Sequence, residues 1–496
     1  MKTIFTPLTK TVISAAVCAV LSTAALAAAT PAKEPLPLQE IRQFTDVYSA
    51  IKAYYVDVDQ TKDAQLLENA LAGMLAGLDP HSAYLDEEAF KDMKEGTEGE
   101  FGGLGLEVTM DASGVLVIAP IDDTPAARAG ILAGDIIIKI DNQATRALSL
   151  SENVNRMRGK PKTKIDLVIA RKGLDKPLEM TITRDIIKVQ SVKMKELADG
   201  IGYIRISQFQ EHTANDLAKY LIELNKKNHL KGLVLDLRND PGGLLNAAVG
   251  VVSAFVEKDK VVVSTKGRTP DSNRDFKTRP ADYLNFEQKP SDDLIAKLPA
   301  VTKTVPMVVL INSASASASE IVSGALQDHK RAKIMGRQSF GKGSVQTVLP
   351  IRPMEGGEPK TGIKLTTSRY YTPAGRSIQA TGITPDIEIA DTAEGNYASF
   401  NIREADLAHH LKSEQERRES EKKMIEASKK EVKNSEQPKP RYFFGDENDF
   451  QLQQAVHVLK GEPYVTGFEP KKDNATQSDK KAASSKEVKD QKGDKK

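Results

Sequence analysis

Two short segments hold the residue types that could do chemistry together. Asn312-Ser-Ala-Ser-Ala-Ser-Ala-Ser-Glu320 supplies hydroxyls, and Phe340-Gly-Lys-Gly-Ser-Val-Gln346 supplies a lysine between two glycines. A serine hydroxyl is a poor nucleophile at neutral pH and needs a neighbouring base. Glycine on both sides of Lys342 lets backbone approach closely and lets the ammonium point inward, where burial lowers its pKa until it can accept the serine proton. Simpler readings of the same letters exist. Ser317 and Glu320 spell the S-x-x-E capping box, so one hydroxyl could merely close a helix, and small alternating residues also occur in linkers.

The flanking residues argue for an element that would present such a serine. Val305 to Ile311 is an apolar run of strand type, and Glu320 to Leu326 continues at helical spacing, so the serines fall at a strand–turn–helix junction. There the unpaired N–H groups and the positive end of the helix favour developing negative charge. The same alternation surrounds it. Gly202–Ile206 and Gly232–Leu237 are expected strands, with a helix over Ala214–Leu224 and a buried helix over Leu244–Val256. The turn between the second strand and that helix is Arg238-Asn-Asp-Pro-Gly-Gly243, so Gly242 or Gly243 is a candidate to bring a free backbone N–H beside the serines. Thr361–Tyr371 and Ile383–Ile389 are expected to complete the sheet.

Composition limits what carries this site. A chain of 496 residues with 40% hydrophobic content can build two or three domains, and a net charge of +2 speaks against a dedicated nucleic-acid binder. The single cysteine, Cys18, lies in a stretch that reads as a secretory signal: Lys2 and Lys10, then an apolar run from Thr11 to Leu26, then Ala25-Leu-Ala27 as cleavage site. A mature chain starting near Ala28 has no thiol, which excludes cysteine nucleophiles, thiolate metal sites and disulfides. A retained N-terminal anchor is the alternative for this stretch.

From Leu38 the pattern is helical, with Ile41, Phe44, Val47, Tyr48, Ile51 and Tyr54 recurring at three- and four-residue intervals on one face and a second helix over Leu66–Leu75, ended by Asp79-Pro-His-Ser82. His81 in that turn reads as structural. Residues 97–185 then form a β-rich segment with Phe101-Gly-Gly-Leu-Gly-Leu-Glu-Val108, a short helix over Leu150–Met157, and Ala129-Gly-Ile-Leu-Ala-Gly-Asp135. This segment resembles a PDZ domain. Glycines there free backbone N–H groups to hold a terminal carboxylate, while an open strand edge pairs with the peptide. Gly103, Leu104, Gly105, Leu106 and Val108, with Val154 and Met157 from the helix, are the expected pocket for an apolar C-terminal residue. A phosphate-binding glycine loop is disfavoured, since no G-K-[ST] follows.

In order, Leu78-Asp-Pro-His-Ser82, the PDZ-like segment, Leu235-Asp-Leu-Arg-Asn-Asp-Pro-Gly-Gly243, the serine run, Phe340–Gln346 and Tyr371-Thr-Pro-Ala-Gly-Arg376 resemble the C-terminal processing peptidases, or tail-specific proteases. The resemblance implies a Clp/crotonase-like α/β core with an inserted PDZ domain and flanking helical segments. It also implies a serine–lysine dyad with the lysine twenty-five positions after the serine; 342 − 25 = 317, which selects Ser317. Gln346 would support Lys342, and the oxyanion would be met by the N–H of Ala318 and of Gly242 or Gly243. Asp240 stands where the family commonly has Asn. The expected organisation is a signal peptide over 1–27, helices over 28–96, PDZ over 97–185, peptidase core over 186–395, a C-terminal helical segment over 396–467, and a disordered Lys-rich tail over 468–496.

The reading is thus an exported serine endopeptidase of the periplasm or cell envelope. It would recognise unfolded or tagged proteins by their apolar C-termini, need no metal or other cofactor, and touch a membrane at most peripherally. Expected partners are its own copies in a homo-oligomer and, as a further candidate, an adaptor protein. Asp406–Lys433 reads as a charged helix, and Leu452, Ala455, Val456 and Leu459 as a helical stripe that is a candidate to pair with the N-terminal helices. Two rivals stand against this reading: a serine–histidine arrangement using His212 or His329, and a PDZ scaffold or chaperone that binds C-termini without cutting them.

Overall fold

The computed structural model describes residues 36–467 apart from 122, 175, 286–287, 354–355, 394, 397–402, 408 and 414–444. The expected signal peptide, most of the charged helix and the Lys-rich tail lie outside the described residues. Among those described, no helix is long and apolar enough to cross a membrane. The chain divides into two units, one ending at Asn69 and the other beginning at Ala70.

In the first unit, α1 (Leu38–Tyr54) carries its apolar stripe with no residue buried. Its C-terminal half is tied to Asp63 by the Tyr48 hydroxyl and the Lys52 ammonium. α2 spans Asp63–Ala76.

After the Asp79–Ser82 turn come β1 (Ala83–Leu85) and α3 (Glu87–Glu98), capped by Asp86 at its start and by Gly99 in the left-handed region at its end. The β-rich segment follows: β2 (Glu100–Gly103), β3 (Leu106–Asp111), β4 (Gly114–Pro120), α4 (Pro125–Arg128), β5 (Ile136–Ile140), β6 (Gln143–Ala144), α5 (Leu150–Met157), β7 (Lys164–Ala170), β8 (Leu178–Thr183) and β9 (Asp185–Lys188). Its sheet runs in the order β3-β4-β5-β7-β8, with β6 on β5 and β2 paired to β9. Alternate residues Ile165, Leu167 and Ile169 of β7 face a core shared with Val115, Val117, Ile137 and Ile182. Ser149 and Glu152 close a full capping box on α5.

The α/β core begins at β10 (Val192–Glu196) and β11 (Ile201–Ile206), followed by α6 (Thr213–Asn228), β12 (Gly232–Asp236), α7 (Leu245–Ser253), β13 (Val261–Gly267), β14 (Arg274–Lys277), α8 (Pro280–Tyr283), β15 (Met307–Ile311), α9 (Ala318–Asp328), β16 (Lys333–Gly336), β17 (Ser344–Ile351), β18 (Thr361–Tyr371), β19 (Ile387–Glu388) and α10 (Phe450–Lys460). The main sheet has the order β10-β11-β12-β15-β16-β19, parallel except for β10 against β11. Its central strands β12 and β15 are buried throughout, as expected where both faces are covered. Leu233 and Leu235 face the layer formed by α6, α7 and α9. Val234, Val308 and Leu310 face the opposite way, where Leu452 and Ala455 of α10 cover them. A second sheet, β1-β18-β13-β14 with β17 also on β18, closes the molecule beside the helix layer. This layering agrees with the expected Clp/crotonase-like core.

Four expectations need correction. Thr361–Tyr371 forms the strand β18, but it pairs with β13 and β17 in the second sheet and does not complete the main one. The strand expected over Ile383–Ile389 shrinks to β19, because Pro385 has no N–H to give to a ladder. The charged helix does not begin at Asp406: Glu404–Asp406 is a single 3-10 turn, and residues 409–413 are irregular. The stripe on α10 packs on the core sheet, and Asp449 at its start pairs with Arg238, which also pairs with Asp236.

Candidate active site

The serine repeat is sorted by what each hydroxyl touches. Ser315 Oγ donates to the carbonyl of Leu237, and Ser319 Oγ donates to the carbonyl of Asp240, so both bolt the turn to the neighbouring strand end. Asn312 adds a third fastening: its Oδ1 accepts the Asn239 backbone N–H and its Nδ2 donates to Asn239 Oδ1. Ser317 lies between these anchors at the N-cap of α9, half-buried, and its hydroxyl makes no cap bond. Of the capping box only the Glu320 half closes: its carboxylate accepts the Ser317 N–H at 2.8 Å. The Ser317 backbone is held at φ 55°, ψ −111°, a conformation that costs a non-glycine residue about 1–3 kcal/mol. Sharp strand-to-helix turns of this kind lift a serine hydroxyl clear of the backbone.

Two buried side chains join Ser317 to the lysine segment. Glu320 Oε2 accepts the N–H of Ser317 and that of Lys342 at 3.0 Å, while Oε1 accepts from the Gly341 amide at 2.7 Å and from the Ser339 hydroxyl. Burial pushes this carboxyl up to about 7, and the four hydrogen bonds oppose the rise. From the other side the Tyr370 hydroxyl lies 3.1 Å from the Ser317 carbonyl and also against the Lys342 carbonyl. Burial raises its pKa well above the ordinary phenol value, so it remains a donor. Both backbones are therefore fixed to the same two groups. The described hydrogen bonds do not include one between the Ser317 hydroxyl and the Lys342 ammonium.

Lys342 is half-buried just before β17. Burial holds its ammonium below the usual value, the positive charge of Lys364 pushes the same way, and Glu404, Glu320 and Asp79 pull it back. The glycine after it answers to a close approach: a Cβ on Gly343 would sit 2.4 Å from the Gln379 nitrogen. Gln346 does not meet Lys342 through its amide nitrogen, which donates to the hydroxyls of Ser344 and Thr366, both at 3.0 Å.

The glycine turn lies against the serine as expected. Gly242 has φ +99°, and a Cβ there would come within 2.8 Å of Ser317 Cβ and the Ala318 nitrogen. The two glycines are not equivalent. The Gly242 N–H already donates to Asp240 Oδ1 at 2.8 Å, whereas no described hydrogen bond uses the Gly243 or Ala318 N–H. Asp240 is itself buried, its Oδ2 has no partner, and burial pushes its carboxyl up to about 8.

In the β-rich segment Gly103, Leu104, Gly105, Leu106, Val108, Val154 and Met157 line one cavity of about 120 Å³ together with Phe101 and Arg158. The guanidinium of Arg158 stacks over Phe101 and pairs with Asp92 and Glu95 of α3.

The histidines are engaged elsewhere. His329 Nε2 meets the Val261 carbonyl at 2.7 Å, His212 is exposed near Glu100, and His81 Nε2 meets Glu404 Oε2 at 2.8 Å. Five residues near the lysine escaped the sequence reading as site members: Asp79, Glu320, Tyr370, Gln379 and Glu404. Glu320 carried a signal, an acid placed where the helix is otherwise apolar. Glu404, in a polar stretch far downstream, carried none.

Three family models match this chain: Peptidase family S41 over residues 200–389, PDZ domain over 102–182, and the activating protease CtpB N-terminal domain over 14–89. A carboxy-terminal-processing protease of Bartonella bacilliformis is 44% identical over 437 residues, 87% of this chain and 91% of the relative. The carboxy-terminal processing protease CtpB of Bacillus subtilis is 36% identical over 347 residues, 69% of this chain and 66% of the relative. A solved photosystem II D1 C-terminal processing protease is 28% identical, with a TM-score of 0.37 over 71% of this chain and 93% of that one. On these matches the chain belongs to the carboxy-terminal processing proteases of peptidase family S41, serine-type peptidases, and carries a PDZ domain.

Proposed function

We propose that Ser317 is the nucleophile and Lys342 the general base of this peptidase. The observation that carries the reading is the shared clamp of Glu320 and Tyr370 on both backbones. Lys342, whose uncharged form burial favours, takes the Ser317 proton in that form as the oxygen attacks a peptide carbonyl. The amides of Ala318 and Gly243 meet the oxyanion, while Gly242 is held to Asp240 and shapes the turn. Lys342 then gives the proton to the leaving amine, and water resolves the acyl-enzyme. With the Gln346 nitrogen bound to Ser344 and Thr366, its Oε1 remains as the acceptor for a lysine N–H.

The substrates are unfolded or tagged proteins whose apolar C-terminal residue enters the PDZ pocket. A cavity of about 120 Å³ suits one small or medium aliphatic side chain. The enzyme acts after export, following removal of residues 1–27, and the exposed stripe of α1 assembles it into a homo-oligomer. A non-cutting scaffold has no use for the Glu320 clamp. The test is purified protein incubated with an unfolded substrate ending in small apolar residues. Ser317→Ala and Lys342→Ala should each lower kcat by at least about a thousandfold while binding persists. Near-normal cleavage by Lys342→Ala would overturn the dyad, and binding without fragments from the unmodified enzyme would favour the scaffold.

A further inference from the structure

We propose that His81, Glu404 and Gln379 form a positioning relay for Lys342, in which the Asp79–Ser82 turn, from well outside the peptidase core in sequence, fixes the place and the electrostatic setting of the base. The proposal rests on the reading of Lys342 as that base.

The relay starts beside the lysine. The Gly343 N–H donates to Gln379 Oε1 at 2.9 Å, Gln379 Nε2 donates to Glu404 Oε1 at 2.9 Å, and Glu404 Oε2 meets His81 Nε2 at 2.8 Å. Gln379 and Glu404 are fully buried, and the His81 side chain is 15% exposed. The Glu404 N–H also donates to the Phe340 carbonyl, so one short segment holds both ends of the Phe340–Gly343 loop. A second path reaches the same turn. Gln346 Nε2 donates to Thr366 Oγ1, and Thr366 Oγ1 donates to Asp79 Oδ1. Asp79 also accepts the backbone N–H groups of His81 and Ser82 and the Ser82 hydroxyl. The lysine loop thus sits between Glu320 and Tyr370 on its serine side and this double anchor on the other. No amide hydrogen of Gly343 or side-chain hydrogen of Gln346 is left to wander.

The charges give the relay a second consequence. Lys342 is faced by Lys364 of β18, by Glu320 of α9, by Glu404 and by Asp79. Glu404 lowers the energy of the ammonium and therefore delays its loss of a proton, and His81 is the group that competes for the Glu404 carboxylate. Removing Glu404 should help Lys342 become neutral; removing His81 should leave the carboxylate to the lysine and hinder it. A merely structural pair would reduce the amount of active enzyme without moving the pH at which it turns on.

The experiment measures kcat/KM against pH for the full chain, with active enzyme counted by fluorophosphonate labelling of Ser317. Glu404→Gln should move the acidic limb to lower pH and His81→Gln should move it to higher pH, each by about half a unit or more, the scale of one nearby charge in a partly buried site. KM should stay within about twofold, since neither side chain is placed to touch substrate. Glu404→Gln keeps the Gln379 contact through an isosteric amide, and His81→Gln leaves the three hydrogen bonds by which Asp79 holds the turn, so at least one variant should fold. Limbs unmoved in both variants, or moved in the same direction, overturn the relay. Lys342→Ala in the same series separates the two claims: if it remains active the dyad fails, and if it is inactive while the limbs stay fixed only the relay fails.

Discussion

Asp240→Asn should stabilise this protein, and the gain should grow with pH. Asp240 lies directly under the Ser317 turn, buried, with Oδ1 accepting the Gly242 N–H and Oδ2 without a partner. Burial raises its carboxyl from 3.8 to about 8. Above the unfolded value the unfolded chain has released this proton while the folded chain still holds it, so folding carries a penalty of about 1.4 kcal/mol for each pH unit climbed toward the folded pKa. The stability this group allows is complete below pH 3.8 and lost progressively as pH rises through 8. Between pH 5 and pH 8, allowing for the bend near the folded pKa, the loss is roughly 3 to 4 kcal/mol. Asparagine keeps the Oδ1 acceptor and puts an NH₂ where the neutral acid has its O–H, but it does not titrate. The assay is urea unfolding of both proteins at the two pH values, followed by far-UV circular dichroism. The Asn variant's advantage should increase by roughly 3 kcal/mol from pH 5 to pH 8. Glu320 and every other titrating group contribute equally to both proteins and drop out of the difference. A difference that is the same at both pH values within about 0.5 kcal/mol would show that Asp240 is not held neutral, and the reasoning from burial would fail.

Two further substitutions probe the site and the pocket. Tyr370→Phe removes the hydroxyl shared by the Ser317 and Lys342 carbonyls, so kcat should fall about tenfold with little change in KM, the equivalent of one net hydrogen bond of about 1.4 kcal/mol; an equal loss in thermal stability and none in kcat would make the tyrosine a packing residue only. Val154→Glu places a charge in the 120 Å³ cavity and should weaken binding of a peptide with an apolar C-terminal residue by about tenfold or more, measured by fluorescence anisotropy, while leaving the binding of a C-terminally amidated control as weak as before.

Much of this site could be read from local patterns, and the exceptions share a cause. The strand–turn–helix around Ser317 follows from the apolar run ending at Ile311 and the helical spacing after Glu320, while the choice of Ser317 among the serines is what the family resemblance implies. The PDZ pocket residues fall in two short stretches, 103–108 and 154–157, which the resemblance to a PDZ domain brings together. Glu404 and His81 are 323 positions apart, and neither sits in a periodic segment that announces burial. The stripe on α10 could be recognised as apolar, but periodicity says only that a face is covered, not by what. At its start on the main sheet lies the buried Arg238–Asp449 pair, whose two members look like ordinary surface charges in the sequence. The choice between Gly242 and Gly243 likewise required knowing that the side chain of Asp240 turns back onto its own loop.

The Ser-Ala alternation has a consequence for inheritance. Because 313 to 318 repeats one dipeptide three times, loss or gain of a single Ser-Ala unit during copying leaves text that looks almost unchanged. In three dimensions the units are not interchangeable: the Ser315 hydroxyl is bolted to Leu237, the Ser319 hydroxyl to Asp240, and the one between them, Ser317, is the proposed nucleophile. A slipped repeat would keep its letters and lose its addresses.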